Sequence, residues 1–392
     1  MARPLQLNFY NMINNKIPPV LVKILLIIVS FLFLFIFFIE KPNFLSPEDT
    51  NFYRAKIIEI KEEGKIVDPY GVENIYQDLK IKILNGPNKS EEIEIRYGEL
   101  LFSILSDNEK VKEKELVIIK KINLENGPAY DIYDKYRLRP LLIIIAIFFS
   151  LIVWLVGIRG VGSILSLFFS IIVVVSLVMP YILIGSNPLY VCLVGSLIII
   201  VPSMYLGHGF NKRTSIALLS TLIAIVLAVI LSEIFVSLTK LGGVTGEDAY
   251  YLQRGLRGLI NLKGLLLGGI IIGTLGVIDD ITINQTVVVD ELRKTNPSLN
   301  FKQLYNKSLV IGKEHIISMV NTLALAYVGI TLPGLLIFIL NKGDTPLWVL
   351  INNEWLAEEM IRTLVGSVVL FSAVPISAFL AVYFLHFRRN KK

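Results

Sequence analysis

The chain has 392 residues, of which 54% are hydrophobic and only 18% charged, with a formal net charge of +6. Soluble domains carry about 25% charged residues, so this apolar excess needs a larger sink than a protein core, and the long uncharged runs identify that sink as a bilayer. The basic residues sit beside apolar spans, which reads as membrane topology and excludes a nucleic-acid surface.

Residues 1–19 are polar, with Arg3 and Lys16 ahead of the first apolar run, Val20–Ile39. That run is long for a signal-peptide core, and Glu40-Lys41-Pro42 offers no small-residue cleavage pattern. It is therefore read as an uncleaved first transmembrane helix, with residues 1–40 forming a cytoplasmic N-terminus and anchor. Residues 41–136 then change character. Short alternating runs, Phe52–Ile60, Tyr76–Leu84, Glu91–Tyr97 and Leu116–Ile122, are broken by Asn85-Gly86-Pro87-Asn88. Period-two alternation with β-branched residues predicts strands and a hairpin, and about ninety residues with four or five strands suit a small barrel or sandwich.

From Leu138 onward the chain is almost continuously apolar. Helices are expected at roughly 139–157, 161–184, 188–206, 214–238, 262–281, 314–340 and 361–386, each long enough for a hydrocarbon core of about 30 Å. With the first run that makes eight spans: an all-α polytopic bundle carrying a β-rich domain between its first two helices. Cytoplasmic termini put Arg3, Lys16, Arg159, Lys212, Arg213, Arg293, Lys294, Lys302, Lys307, Lys313, Arg388 and Arg389 inside, leaving few basic residues in the outside loops. This bias predicts a cytoplasmic-membrane protein with both termini inside and the β-domain outside. Residues 241–260 contain Thr245, Asp248 and a tyrosine pair, which predicts a short interfacial helix. In the segment about 284–312, Asn296-Pro297-Ser298 ends one helix and can cap the next.

The residues that carry chemistry cluster around Leu262–Glu291. Gly264, Gly268, Gly269, Gly273 and Gly276 include two GxxxG spacings, which let helix backbones approach closely in lipid and place this span centrally in the bundle. Asp279 and Asp280 follow, near the expected cytoplasmic end of the span. Two carboxylates held together at low dielectric resist joint ionisation, the physics of a proton relay or cation site. The plain alternative is a hydrated interfacial pair partnered by Lys313 or Arg213. If the helix continues, Asp279, Thr282, Thr286 and Asp290 share one face, and Asp280, Asn284 and Glu291 another.

Glu314, His315 and Asn321 on the next span, and His208 at the end of an earlier one, are expected at the same depth as the acidic pair. Two histidines and several carboxylates could ligate a divalent metal such as Mn²⁺ or Zn²⁺, though equal depth is not contact. The single cysteine, Cys192, excludes an intramolecular disulfide and a cysteine metal cluster. Pro180, Pro202, Pro333 and Pro375 lie in or near spans and can bend them, Pro333 after Gly329 suggesting a hinge. No phosphate loop, nucleophile elbow, HExxH or redox pair is present, and the sequence does not identify a cofactor.

The order of features resembles the YibE/F-like family of bacterial membrane proteins. It runs from YQDLKIKILNGPNKSEEIEI through HGFNKRTSIALLSTL and GLLLGGIIIGTLGVIDDITINQTVVVDELRKTNPSL to GKEHIISMVNTLALAYVGITLPGLL, from about Phe52 onward. Asp279 and Asp280 fall where that family's pattern places an acidic pair, and Asn321-Thr322-Leu323 matches its NTL. The pattern often has valine or alanine where this chain has Ile281, Thr282 and Asn284. The resemblance implies a multi-pass membrane protein and does not fix its activity.

Three functions fit these residues. The first is a transporter or permease for a small solute or ion, coupled through Asp279 and Asp280. The second is an accessory protein whose residues 41–136 bind an envelope partner while the bundle anchors it; loss of a crosslinked partner on deleting that domain would favour this reading. The third, an intramembrane enzyme acting on lipid with His208 and the aspartates as acid and base, lacks a nucleophile fixed by spacing. A homo-oligomer is compatible with each.

Overall fold

The computed structural model describes residues 51–67, 73–98, 105, 107, 109–124, 127–245, 251–252, 258–340 and 346–386. The expected first span, Val20–Ile39, lies outside these residues. The chain divides into two compact units, Met1–Leu155 and Val156–Lys392.

The first unit contains five strands: β1 (Phe52–Val67), β2 (Glu73–Ile83), β3 (Glu92–Tyr97), β4 (Leu116–Leu124) and β5 (Gly127–Lys135). They form one antiparallel sheet in the order β3-β2-β1-β4-β5. Alternation sends every second side chain inward, so Gln77, Leu79, Ile81 and Ile83 of β2 are buried beside Ala55, Ile57, Val117 and Ile119. Register shifts interrupt the β1–β2 ladder between Ile57 and Glu59 and between Ile60 and Glu62. Bulges of this kind increase strand twist. Edge strands β3 and β5 come near one another, yet no ladder joins them among the described residues. The strands expected of a small barrel or sandwich thus form one five-stranded sheet whose edge strands approach each other. Gln77 pins the loop before β4, exchanging hydrogen bonds of 2.9 and 3.2 Å with the Val111 backbone. The hairpin at Asn85–Asn88 joins β2 to β3, with Gly86 at φ 84°. Helix α1 (Leu138–Val156) completes the unit.

The second unit holds α2 (Ile158–Val173), a π-helical turn (Val174–Val178), α3 (Met179–Leu183), α4 (Pro188–His208), α5 (Lys212–Leu238), α6 (Leu262–Thr295), α7 (Phe301–Leu340), α8 (Leu347–Ile351) and α9 (Glu354–His386). Pro180 lacks an N–H and its ring crowds the carbonyl four residues back, which accounts for the π-turn ahead of it. Asn187, Asn211 and Asn261 cap α4, α5 and α6 by accepting backbone N–H bonds of 2.9–3.0 Å. Seven of the described helical segments are long and apolar enough to cross a membrane. Helix α7 runs without a break through Gly329 and Pro333.

Helix α6 is the hub, packing on α4, α5, α7 and α9. Its core residues Leu266, Leu267, Ile270, Ile278 and Ile281 meet Ala224, Ala228, Ile361, Val365, Val369 and Val374. At 34 residues it is about 51 Å long, and it continues well past residue 281, where the span was expected to end. Helix α7 likewise starts at Phe301, not near 314. The polar residues that suggested a loop are satisfied inside the bundle. Thr221 and Thr282 share a buried hydrogen bond of 2.7 Å, and the buried Gln285 amide donates to the Ser308 carbonyl at 3.0 Å.

Candidate functional site

The glycines of α6 serve three different neighbourhoods. A methyl group at Gly264 would lie 3.1 Å from Pro188, and one at Gly268 only 2.5 Å from the Cys192 sulfur and 3.1 Å from the Pro188 carbonyl. This half of the helix therefore abuts the start of α4 backbone to backbone. Gly269 instead faces α9, where a methyl would come within 3.1 Å of the Arg362 guanidinium. At Gly273 the neighbour is the Tyr327 hydroxyl of α7, at 3.3 Å, while Gly276 faces nothing within 4 Å.

Gly269, Gly273, Gly276, Asp280 and Asn284 recur at spacings of four, three, four and four residues, so they line one face of α6. The last four are exposed. Ten residues separate Gly269 from Asp279, a rise of about 15 Å.

The acidic pair sits mid-helix. Asp279 is half-buried, and one of its carboxylate oxygens accepts the Asp280 backbone N–H at 2.9 Å. Asp280 is exposed and its Oδ1 accepts the Asn284 side-chain amide at 3.1 Å. Beneath them Thr282 and Thr286 are fully buried, their hydroxyls donating to the Asp279 and Thr282 carbonyls at 3.1 and 2.7 Å. This divides the segment into a packed face and an open one. Arg213 does not partner the pair. It bridges Asp290 and Glu291, the latter at 3.0 Å, and Lys294 joins the same two carboxylates at 3.0 and 2.9 Å.

Of the other candidates, His208 is closest in character to the pair: α4 packs along α6 and the field of the Asp280 carboxylate reaches the imidazole. Glu314, His315 and Asn321 are exposed on α7. Among the described residues no hydrogen bond or ion pair joins them to Asp279 or Asp280, and no group of three or more His, Cys, Asp or Glu side chains is placed to hold a metal ion.

Residues 144–387 match the YibE/F-like protein family. The chain belongs to that family. The match begins within α1 and takes in the whole second unit up to the end of α9, so the sheet, whose β2–β3 hairpin contributed to the resemblance, lies outside it. No curated protein and no solved structure matches this YibE/F-like chain. Its multi-pass membrane character is carried by both the family and the seven apolar helices.

Sequence reasoning missed a second polar group in the bundle. Arg362 of α9 pairs with Glu359 at 3.4 Å and lies against Gly269, and Glu358 is buried beside them. The signal was available: three charges within five residues at the start of a span are as unusual as the aspartate pair.

Proposed function

We propose that this YibE/F-like protein is a transporter or permease for a small solute or ion, with Asp279 and Asp280 of α6 as its charge-handling pair. The observation that carries the reading is the uncovered face of α6. Gly276, which faces nothing within 4 Å, lies on that face with the exposed Asp280 and Asn284, on the helix that contacts four others. Carboxylates at the middle of a long apolar helix are expensive to keep there, and packing alone gives no reason for two of them. A cation is the natural partner of such a pair, and His208, on a helix packed along α6, is a titratable candidate to act with it. The positive-inside bias places the pair in the cytoplasmic half of a cytoplasmic membrane.

The test is flux in proteoliposomes carrying the full-length protein and a pH- or ion-sensitive dye, challenged with a panel of monovalent and divalent cations. Wild-type protein should give protein-dependent flux for one member of the panel. The Asp279→Asn/Asp280→Asn variant should lose it by at least about tenfold, on the order of the 1.4 kcal/mol that one such factor represents, while eluting as the same species. Flux undiminished in that variant would remove the pair from the mechanism.

A further inference from the structure

Glu358, one turn into α9, is a carboxylate that neither the acidic pair nor the packing of the bundle accounts for. The residue is 6% exposed. Its Oε2 accepts the Thr245 hydroxyl at 2.7 Å, whereas Oε1 is shut away from solvent with no hydrogen-bond partner. Asp248, which with Thr245 suggested a cap from sequence, lies outside the described residues.

Among the described residues, the charged groups packed nearest Glu358 are engaged, and Lys240, just past α5, is exposed in a cleft that it lines with Glu354. On α9 itself, Glu354 accepts the Gly242 backbone N–H at 2.6 Å, and Arg362 is paired with Glu359 at 3.4 Å. From α7 the Tyr327 hydroxyl lies by Gly273, in the field of the same Arg362 and Glu359. On α5 and α6 the charged groups of this end, Glu233 and Lys263, pair with each other at 3.3 Å. An ionised carboxylate with one dry, unpaired oxygen is far less favourable than a neutral carboxyl in the same place.

Arg362 is three residues from Glu359 and four from Glu358, so one guanidinium can reach either carboxylate on the helix surface. It cannot neutralise both fully. Gly269 supplies the room, since a methyl there would press on the guanidinium at 3.1 Å.

We propose that Glu358 is a proton-binding site of the membrane bundle, holding H⁺ on its carboxyl group while Arg362 is paired with Glu359 and releasing it when Arg362 turns to Glu358. The O–H bond breaks heterolytically, the proton leaves to water, and the charge left on the carboxylate is met by the guanidinium. Arg362, at the level of Gly269, lies about 15 Å along α6 from Asp279, and Glu358 is a turn further away, so this is a second site and does not rest on transport through the acidic pair.

Infrared difference spectra of the full-length protein in liposomes, taken across a pH titration, report buried protonated carboxyls by their C=O stretch. Wild type should show a titrating component that Glu358→Gln lacks and Glu359→Gln keeps. Arg362→Gln should hold that component to higher pH, because the counter-ion that favours release is gone. The proposal is overturned if Glu358→Gln leaves the titration unchanged, if wild type shows no such component, or if Na⁺ at constant pH removes it as a rise in pH does. Should Glu358→Gln not elute as the wild-type species, Thr245→Val carries the test. Removing the bond to Oε2 should move the band, and an unmoved band rejects the assignment.

Discussion

Single side chains in this protein act mostly by closing polar accounts that a bilayer cannot close. The Thr221–Thr282 bond at 2.7 Å joins α5 to α6 where no water is available, while Thr221 also bonds the Ala217 carbonyl at 3.0 Å. Because that second bond remains, Thr282→Val should cost only about 0.6 kcal/mol, the average for interhelical hydrogen bonds in membranes. A double-mutant cycle with Thr221→Val, read by unfolding in bicelles, checks it. In the sheet the balance is different, because water is present. Asp78 receives two bonds from Arg96, at 2.7 and 2.9 Å, and the guanidinium beside it holds its carboxyl below the usual range. The unfolded chain therefore binds more protons between the two values, so the pair's contribution is full above about pH 4 and fades as pH falls through the folded value. Arg96 is 43% exposed, which limits that contribution to under about 1 kcal/mol. Hydrogen exchange on the full-length protein should show Arg96→Gln loosening β2 and β3 at pH 7, with the difference from wild type shrinking as pH falls below about 4.

At the scale of elements, small residues divide by what they face. Gly268→Ala would drive a methyl into Cys192 and the Pro188 carbonyl, and backbone on one side leaves little room to yield. A loss of about 1–3 kcal/mol is expected from such overpacking. Gly276→Ala meets open space and should be neutral or gain up to about 1 kcal/mol through lower backbone entropy. Thermal unfolding of the two variants in the same detergent separates a packed glycine from an open one, and equal losses would contradict the assignment. The GxxxG spacing is legible in sequence, but it treats all five glycines alike. Which of them touches α4, which makes room for Arg362 and which faces nothing depends on neighbours far away in the chain. Helix length was misjudged for a related reason. Thr282, Gln285 and Thr286 read as the polar end of a span, whereas in the fold they are buried and bonded to α5, to α7 and to their own helix.

For the whole molecule, the seven apolar helices and the family set a multi-pass membrane protein, while its orientation is an expectation from the bias of lysine and arginine. Under that topology a cysteine introduced in the Asn85–Lys89 turn should react with a membrane-impermeant maleimide in intact cells. Protection there, with labelling after lysis, would invert the topology. The two candidate sites also belong to this scale, since each draws on several helices: α6 with α4 for the acidic pair, and α9 with α7 and the Gly242–Thr245 loop for Glu358.

The sequence by itself determined what local physics can decide. Apolar runs of about twenty residues have no stable home but a bilayer, and the short alternating runs within residues 52–97 favour a sheet. The Asn85–Asn88 turn and the costly aspartates are likewise properties of a few neighbouring residues. Only the tertiary structure decided that the five strands form one sheet, that α6 continues past its polar segment, and that Arg213 is taken by Asp290 and Glu291. It alone left Glu358 with an oxygen and no partner. Each of those outcomes depends on pairing between residues distant in the chain, and a polar side chain's meaning in a membrane lies in whether such a partner exists.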